Sequence, residues 1–235
     1  LRDGGESTDL SPFNNRLYGM SLGGALKKNK IFFYLNAELQ RDQAPTSFDL
    51  NNYLGTSNSG DLNGLRDFVR NTYNYDPGDF QGQTDELEAL RLFGKLNFNL
   101  NDKNQLSLRH LYTRIEQFDI NSNSERVIHF NNNGAFIQSN TNSFVAELHT
   151  TGNRRANNLI IGYSRVVDDR DPIGGDFPAI TLFDNGGRIN FGSDQFSTAN
   201  LLEQRLWTLT DQLTFYGKKH SFTLGMHHEY GQFDN

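Results

Sequence analysis

The stretch Leu90-Arg91-Leu92-Phe93-Gly94-Lys95-Leu96-Asn97-Phe98-Asn99-Leu100 alternates without a break. Leu90, Leu92, Gly94, Leu96, Phe98 and Leu100 fall on one side, and Arg91, Phe93, Lys95, Asn97 and Asn99 on the other. A period of two belongs to an extended strand, whose successive side chains leave opposite faces. Asn101-Asp102-Lys103 follows as a turn, and the pattern resumes with Leu106, Leu108, His110 and Tyr112 opposite Gln105, Ser107, Arg109 and Thr113. The whole reads as a β-hairpin over about 88–116, with strands far longer than the ~5–6 residues usual in globular sheets.

The same motif recurs three times, over about 15–41, 141–168 and 201–231. Ile31, Phe33, Leu35, Ala37 and Leu39 share one parity in the first of these hairpins. Phe144, Ala146 and Leu148 with Leu159, Ile161 and Tyr163 do so in the next, and Trp207, Leu209, Leu213 and Phe215 with Phe222, Leu224, Met226 and Tyr230 in the last. Turns within a hairpin are short, whereas the segments between hairpins, about 42–87, 117–140 and 169–200, are long. Eight long strands with short turns at one end and long loops at the other predict an all-β, antiparallel transmembrane β-barrel with long extracellular loops. On the outward parity, Phe33, Phe98, Phe215 and Phe222 lie near the short turns, and Tyr112, Trp207 and Tyr230 near the long loops. Two aromatic belts around an aliphatic band suit a membrane wall. Asp211, His110 and His228 fall on that same outward parity and break its apolar character. A soluble β-rich binding module, its aromatics paired across strands, is the competing reading.

Composition is consistent with either solvent. The 235 residues carry 22 Lys+Arg and 28 Asp+Glu, a formal net charge of −6, and the basic residues are scattered, which argues against a nucleic-acid groove. There are 19 Phe, 9 Tyr, one Trp, 28 Asn and 22 Gly, and the mean hydropathy is −0.66. A spanning strand needs only ~9–11 residues with one apolar face, so a barrel wall averages as polar. The absence of cysteine excludes a disulfide scaffold, a thiol nucleophile and a Cys-based zinc site within this sequence. Because the sequence opens on Leu1-Arg2-Asp3-Gly4-Gly5 and stops just after an alternating strand, it is expected to be a piece of a longer chain.

Several segments resemble one family. Ser21-Leu22-Gly23-Gly24-Ala25-Leu26-Lys27-Lys28-Asn29-Lys30-Ile31-Phe32-Phe33-Tyr34, with Glu38 after it, is similar to an early-barrel pattern S-L-G-G-P-I-K-K-D-K-x-F-F-F of TonB-dependent outer-membrane receptors, Oar-like branch. Leu209-Thr210-Asp211-Gln212-Leu213-Thr214 with Gly217-Lys218-Lys219-His220-Ser221-Phe222-Thr223-Leu224-Gly225 resembles the T-D-N-L-T…G-K-H-x-x-x-x-G hairpin of that family, and Lys95–Phe98 with Asn101–Arg109 resembles another. Ala25 in place of Pro and Asn29 in place of Asp are mild departures at a turn. The resemblance implies a 22-stranded barrel in the bacterial outer membrane, of which this chain supplies about eight strands. It also implies a separate plug domain, coupling to TonB, ExbB and ExbD, and transport of a large or scarce ligand. A barrel that serves as a scaffold for surface lipoproteins or other outer-membrane proteins is the alternative from another class. Outer-membrane lipid is the expected surrounding in either case, and no cofactor is implied.

No pattern for bond chemistry is present: there is no H-E-x-x-H, P-loop or G-x-S-x-G, and the His227-His228 pair points to opposite strand faces. The chain therefore reads as a non-enzyme. By parity, Glu38, Arg91, Lys95, Arg109, Glu147, His149, Arg205 and Glu229 are expected on the lumen side, where charges contact a plug or a substrate path or form a stiffening polar lattice. The loop aromatics Tyr53, Tyr73, Tyr75, Phe80 and Phe177 are the candidate substrate contacts, with packing inside the loops as the competing reading. Asp168, Asp169, Asp171 and Asp176 form a weak candidate Ca²⁺ set, with Arg170 in their midst. Leu62, Leu65, Phe68 and Val69 predict a short helix beginning at Ser59 or Asp61, followed by a turn at Asn74-Tyr75-Asp76-Pro77-Gly78.

Overall fold

The computed structural model describes residues 13–46, 48–196 and 200–235; residue 47 in the first expected loop and 197–199 in the third lie outside them. In chain order the elements are β1 (Asn14–Lys27), β2 (Ile31–Pro45), α1 (Ser59–Tyr73), β3 (Thr84–Asn101), β4 (Asn104–Ile120), β5 (Val127–His129), β6 (Gly134–Gly152), β7 (Arg155–Pro172), β8 (Ile180–Asp184), β9 (Gly187–Phe191), β10 (Asn200–Tyr216) and β11 (Ser221–Asp234). Eight of the strands form one antiparallel sheet in the order β1-β2-β3-β4-β6-β7-β10-β11. These strands are 14 to 19 residues long, longer than the alternating stretches alone indicated. The added length is at the loop end, where both parities turn polar and the period of two carries no hydropathy signal.

Register fixes the faces. One rung runs Ile31, Phe98, Leu106, Leu148, Leu159, Asp211, Met226, and the rung two residues nearer the loops runs Phe33, Leu96, Leu108, Ala146, Ile161, Leu209, His228. The next contains Leu22, Leu35, Gly94, His110, Phe144, Tyr163, Trp207 and Tyr230. All of these side chains share one face, and about half of the large ones are exposed, Trp207 at 52 % and Met226 at 58 %. The rung that begins on the first residue of β2 ends five residues past the start of β11. At ~3.3 Å per residue and ~4.8 Å per strand, that slant is about 30° to the line of turns, close to the strand tilt of a closed barrel. The sheet itself is open, with β1 and β11 at its edges.

The buried apolar core is not in this sheet. It lies in a cap at the loop end, where Tyr53, Leu62, Val69, Tyr75, Phe80, Ile128, Phe130, Ile189 and Phe191 form one cluster. The cap consists of α1 and a second sheet, β5-β9-β8. α1 starts with a capping box in which Asn58 accepts from the amides of Gly60 and Asp61 while the Asp61 carboxylate accepts from the amide of Asn58. It ends at Asn74 in the left-handed region, φ 53°. Leu62 and Val69 face inward, whereas Phe68, which the spacing placed on the same stripe, is exposed.

Candidate functional site

The face opposite the aliphatic rungs is polar. Glu38, Arg91, Lys95, Arg109, Glu147, His149 and Glu229 all lie on it by register. Arg91 opposes Glu38 across the ladder and donates from Nη1 to Gln40 Oε1 at 3.0 Å, while Asn36 Nδ2 donates to Glu38 Oε1 at 3.2 Å. Arg109 Nη2 donates to Glu147 Oε2 at 3.1 Å, two strands sharing one ion pair. On the last hairpin His227 lies between Thr210 Oγ1 at 2.7 Å and Glu229 Oε1 at 2.9 Å. These contacts are spread along the strands as local pairs, not gathered at one point.

Arg205 requires correction. It shares the parity of Trp207 and Leu209, opposes Arg165 on β7, and so stands on the aliphatic face, one rung toward the loops from Trp207. Glu203 Oε1 accepts from Arg165 Nε at 2.6 Å and from Arg205 Nε at 2.7 Å, which holds the two guanidinium groups together. The Ca²⁺ set fails as well. Asp168, Asp169 and Asp171 belong to β7, where Asp168 points to one face and Asp169 and Asp171 to the other, and only Asp176 is in a loop. No group of metal-ligating side chains occurs among the described residues.

Four of the five loop aromatics are taken up by the cap. Tyr53, Tyr75 and Phe80 are buried in its core, and Phe177 stacks on Tyr75 with ring centroids 4.1 Å apart. The reason is supply. The cap has one α-helix, a 3-10 turn at Leu50–Asn52 and three short strands, and aromatic rings are the largest apolar groups available to close a core that small. Tyr53 lies against Gly187, where a Cβ would come within 2.5 Å of its ring. Burial first, and then the neighbouring Asp184 carboxylate, push the Tyr53 phenol up to about 12. Burial does the same to Tyr75, also to about 12. Tyr73 alone remains at the surface, its ring 6.0 Å from Phe68 and 6.0 Å from Phe177. Two further rings stand at the surface without a periodic signal to mark them, Phe68 on α1 and Phe183, 89 % exposed on the edge strand β8.

Asp184 anchors the start of α1. Its Oδ1 accepts from Thr56 Oγ1 at 2.5 Å and its Oδ2 from the Ser57 amide at 2.9 Å. Burial raises its carboxyl, but these donors outweigh burial and hold it at about 2.

No protein-family model matches the sequence, and no curated protein matches it as a relative. Among solved structures, the outer membrane transporter YddB from Escherichia coli superposes over 93 % of this chain with a TM-score of 0.57 at 13 % identity. The fold is that of an outer-membrane barrel wall. The siderophore receptor PiuA from Acinetobacter baumannii superposes over 94 % of the chain with a TM-score of 0.48 at 10 % identity. This chain spans 25 % of the YddB structure and 39 % of the PiuA structure.

Proposed function

We propose that these residues form part of the wall and surface cap of a TonB-dependent transporter of the bacterial outer membrane, of the Oar-like branch, which takes up a large or scarce ligand. The observation that carries the membrane reading is the continuous aliphatic face, left uncovered by any protein layer among the described residues. In water, an apolar expanse of that extent is an association liability; against lipid it is the required surface. Its height agrees. From Phe215 to Trp207 is eight residues along β10, ~26 Å along a strand and about 23 Å along the normal at the 30° slant, close to the ~25 Å apolar band of outer-membrane barrels.

The transport reading is supported by the polar opposite face, where Arg91, Lys95, Arg109 and Glu147 would line the interior against a plug, and by the fold shared with a transporter. Tyr73 and Phe68 are the cap groups offered to a ligand. TonB, ExbB and ExbD are the implied energy partners through parts of the protein outside these residues. The test uses the whole gene product. A polypeptide much larger than 26.7 kDa, recovered from outer membranes only with detergent, is expected. Deleting its gene and deleting tonB should produce the same growth defect on the limiting nutrient. A defect that appears with the gene deletion but is absent on loss of TonB would refute transport and favour a scaffold for surface lipoproteins.

A further inference from the structure

Above the outer aromatic belt the lipid-facing side changes character in two steps. With Ile31 as origin, the register, ~3.3 Å per residue, ~4.8 Å per strand and the ~30° slant give each outward residue a height along the membrane normal. Tyr18, Tyr112, Tyr163, Trp207 and Tyr230 lie at about 20–26 Å on that scale. Arg16, Arg41, Arg114, Arg165 and Arg205, from five different strands, all fall within about 26–29 Å, a spread of about one residue. The outward carboxylates above the belt, Glu86, Glu88, Glu116, Asp169, Glu203 and Asp234 among them, start at about 31 Å and lie further out. Arg16 Nε donates to Asn14 Oδ1 at 3.1 Å, Arg41 Nε donates to Glu88 Oε2 at 2.7 Å, and Arg114 pairs with Glu116. Arg165 and Arg205 oppose each other directly across the β7–β10 ladder, where like charges are unfavourable, and one oxygen, Glu203 Oε1, takes both. Asp234 Oδ2 comes no nearer to Arg205 Nη1 than 3.9 Å. A guanidinium has five N–H donors, so most of each fork is unspent. Four of the five side chains belong to exposed residues, and Arg205 is half-buried.

We propose that this tier of arginines binds the phosphate groups of phosphorylated lipid in the outer leaflet, with Arg165 and Arg205 acting as one two-forked site. The inference rests on the membrane-wall reading above. Aromatic belts mark the edge of the hydrocarbon, so the next tier stands where headgroups join their acyl chains, the depth at which a phosphorylated lipid carries its phosphate. Guanidinium groups match phosphate with two parallel N–H donors, and these charge-assisted bonds are about twice as strong as neutral ones. An anion seated between Arg165 and Arg205 also relieves their mutual repulsion, which Glu203 meets with a single oxygen. The vertical order of charge decides the source of the phosphate. A free anion arriving from water meets the carboxylate tier first and is repelled by it. A phosphate held by lipid enters along the membrane, beneath the carboxylates, and reaches the guanidinium groups without passing them.

The test is lipid binding by the full-length protein, purified from outer membranes in a non-ionic detergent and stripped of lipid, with adducts counted by native mass spectrometry. The probes are lipid A with its phosphates, the same lipid A after their removal, and inorganic phosphate. Phosphorylated lipid A is expected to bind at least tenfold more tightly than the dephosphorylated form, and equimolar inorganic phosphate should not displace it. R165Q/R205Q should lower that binding at least tenfold, and R41Q/R114Q, which removes two other members of the tier, should lower it in the same direction. Arg126→Gln, in the cap beyond the tier, should leave it unchanged. Equal binding of the two lipids, no binding of either, or undiminished binding in both double variants would each overturn the proposal. So would an equal loss in Arg126→Gln, which would show a general effect of charge, or displacement by inorganic phosphate, which would make the site one for a free anion. Failure of the membrane reading is seen separately, as absence of the protein from the outer-membrane fraction before any lipid is added.

Discussion

Replacing Leu62 with alanine tests whether the cap is a folding unit distinct from the wall. Leu62 is fully buried, 0 % exposed, on the inner stripe of α1 and in the one cluster that joins Tyr53, Val69, Ile128, Phe130 and Ile189. Truncating a buried leucine removes its transfer free energy and leaves a cavity, together 2.7–5 kcal/mol in a well-packed core, and about 3 kcal/mol is expected for a core this small. Alanine's better helix propensity returns only a few tenths of a kcal/mol. At ~1.4 kcal/mol per decade, the loss corresponds to a drop of about 100-fold in amide protection wherever exchange needs the cap to open. Hydrogen exchange read by mass spectrometry on the full-length protein in detergent is the assay. Peptides over 62–73, 127–130 and 187–191 should lose protection together, because three separate stretches of sequence share that core. Peptides over 141–150 and 205–213 should not change, since their amides are held by the sheet ladder. Loss confined to 62–73 would show that the nine residues are not one core. Equal loss in the wall would show that cap and wall open as one body. Either outcome refutes the reasoning.

Acid should loosen the cap through Asp184. Its folded carboxyl titrates below the ordinary value, so its contribution is fully present above pH ~4 and is lost as pH falls toward 2. The residue is only partly buried, and solvent screening limits its contribution to about 1 kcal/mol. The gap in cap exchange between wild type and D184N should therefore shrink between pH 5 and pH 2.5, and a constant gap would rule out this carboxylate as the source. Gly187→Ala should destabilise the cap by ~1–3 kcal/mol, because its Cβ would meet the Tyr53 ring at 2.5 Å. G187A/Y53L should recover part of that loss in thermal unfolding, and no recovery would mean that the ring is not what the methyl meets. Trp207, the single tryptophan, should be quenched by lipids with brominated acyl chains. A Trp placed at Phe93 in a W207F background, on the polar face, should escape quenching, and equal quenching of both would refute the assignment of faces.

The wall was readable because its physics is local. Alternation in 88–116 sets strand and face at once, and the rungs Leu92–Tyr112 and Leu96–Leu108 follow from the turn together with the one-residue register shift between Asn99 and Asn101. The wall also has one hydropathy rule per face, so parity carries over between strands. Arg205 shows where that rule gives out. Beyond the aromatic belt both parities are polar, and a charge there no longer marks the inner face; its parity with Trp207 was nonetheless present in the sequence. The cap was legible only as local pieces, namely the helix of 59–73 and the turn with Gly78 at φ +83°. Its core joins residues as far apart as Tyr53 and Phe191, and no periodicity reports which of several exposed-looking aromatics will be drawn inside. Tyr53, Tyr75 and Phe80 were open to two readings for that reason, and packing within the loops took them.

Wall and cap meet through a seam that differs in kind from either. The Thr46 amide donates to Gln83 O at 2.8 Å, and Gln83 Nε2, buried with its residue, donates to His129 O at 3.0 Å. Asn123 binds the same point from both sides, accepting from the His129 amide at 2.6 Å and donating to Phe80 O at 2.8 Å. Nearby, Asn121 Nδ2 donates to Asn133 O at 2.6 Å and Asp85 accepts from the Ile120 amide at 3.3 Å. Burial holds the His129 imidazole below its ordinary value, so near neutral pH it faces Asn133 Oδ1 at 2.8 Å as an uncharged ring. A bond of this kind is worth ~1 kcal/mol net, and breaking one that strands a buried group such as Gln83 Nε2 costs more, ~1–3 kcal/mol. The cap core is held by apolar burial, which fails all at once when water enters, and the wall by a ladder whose amides have no alternative partner in lipid.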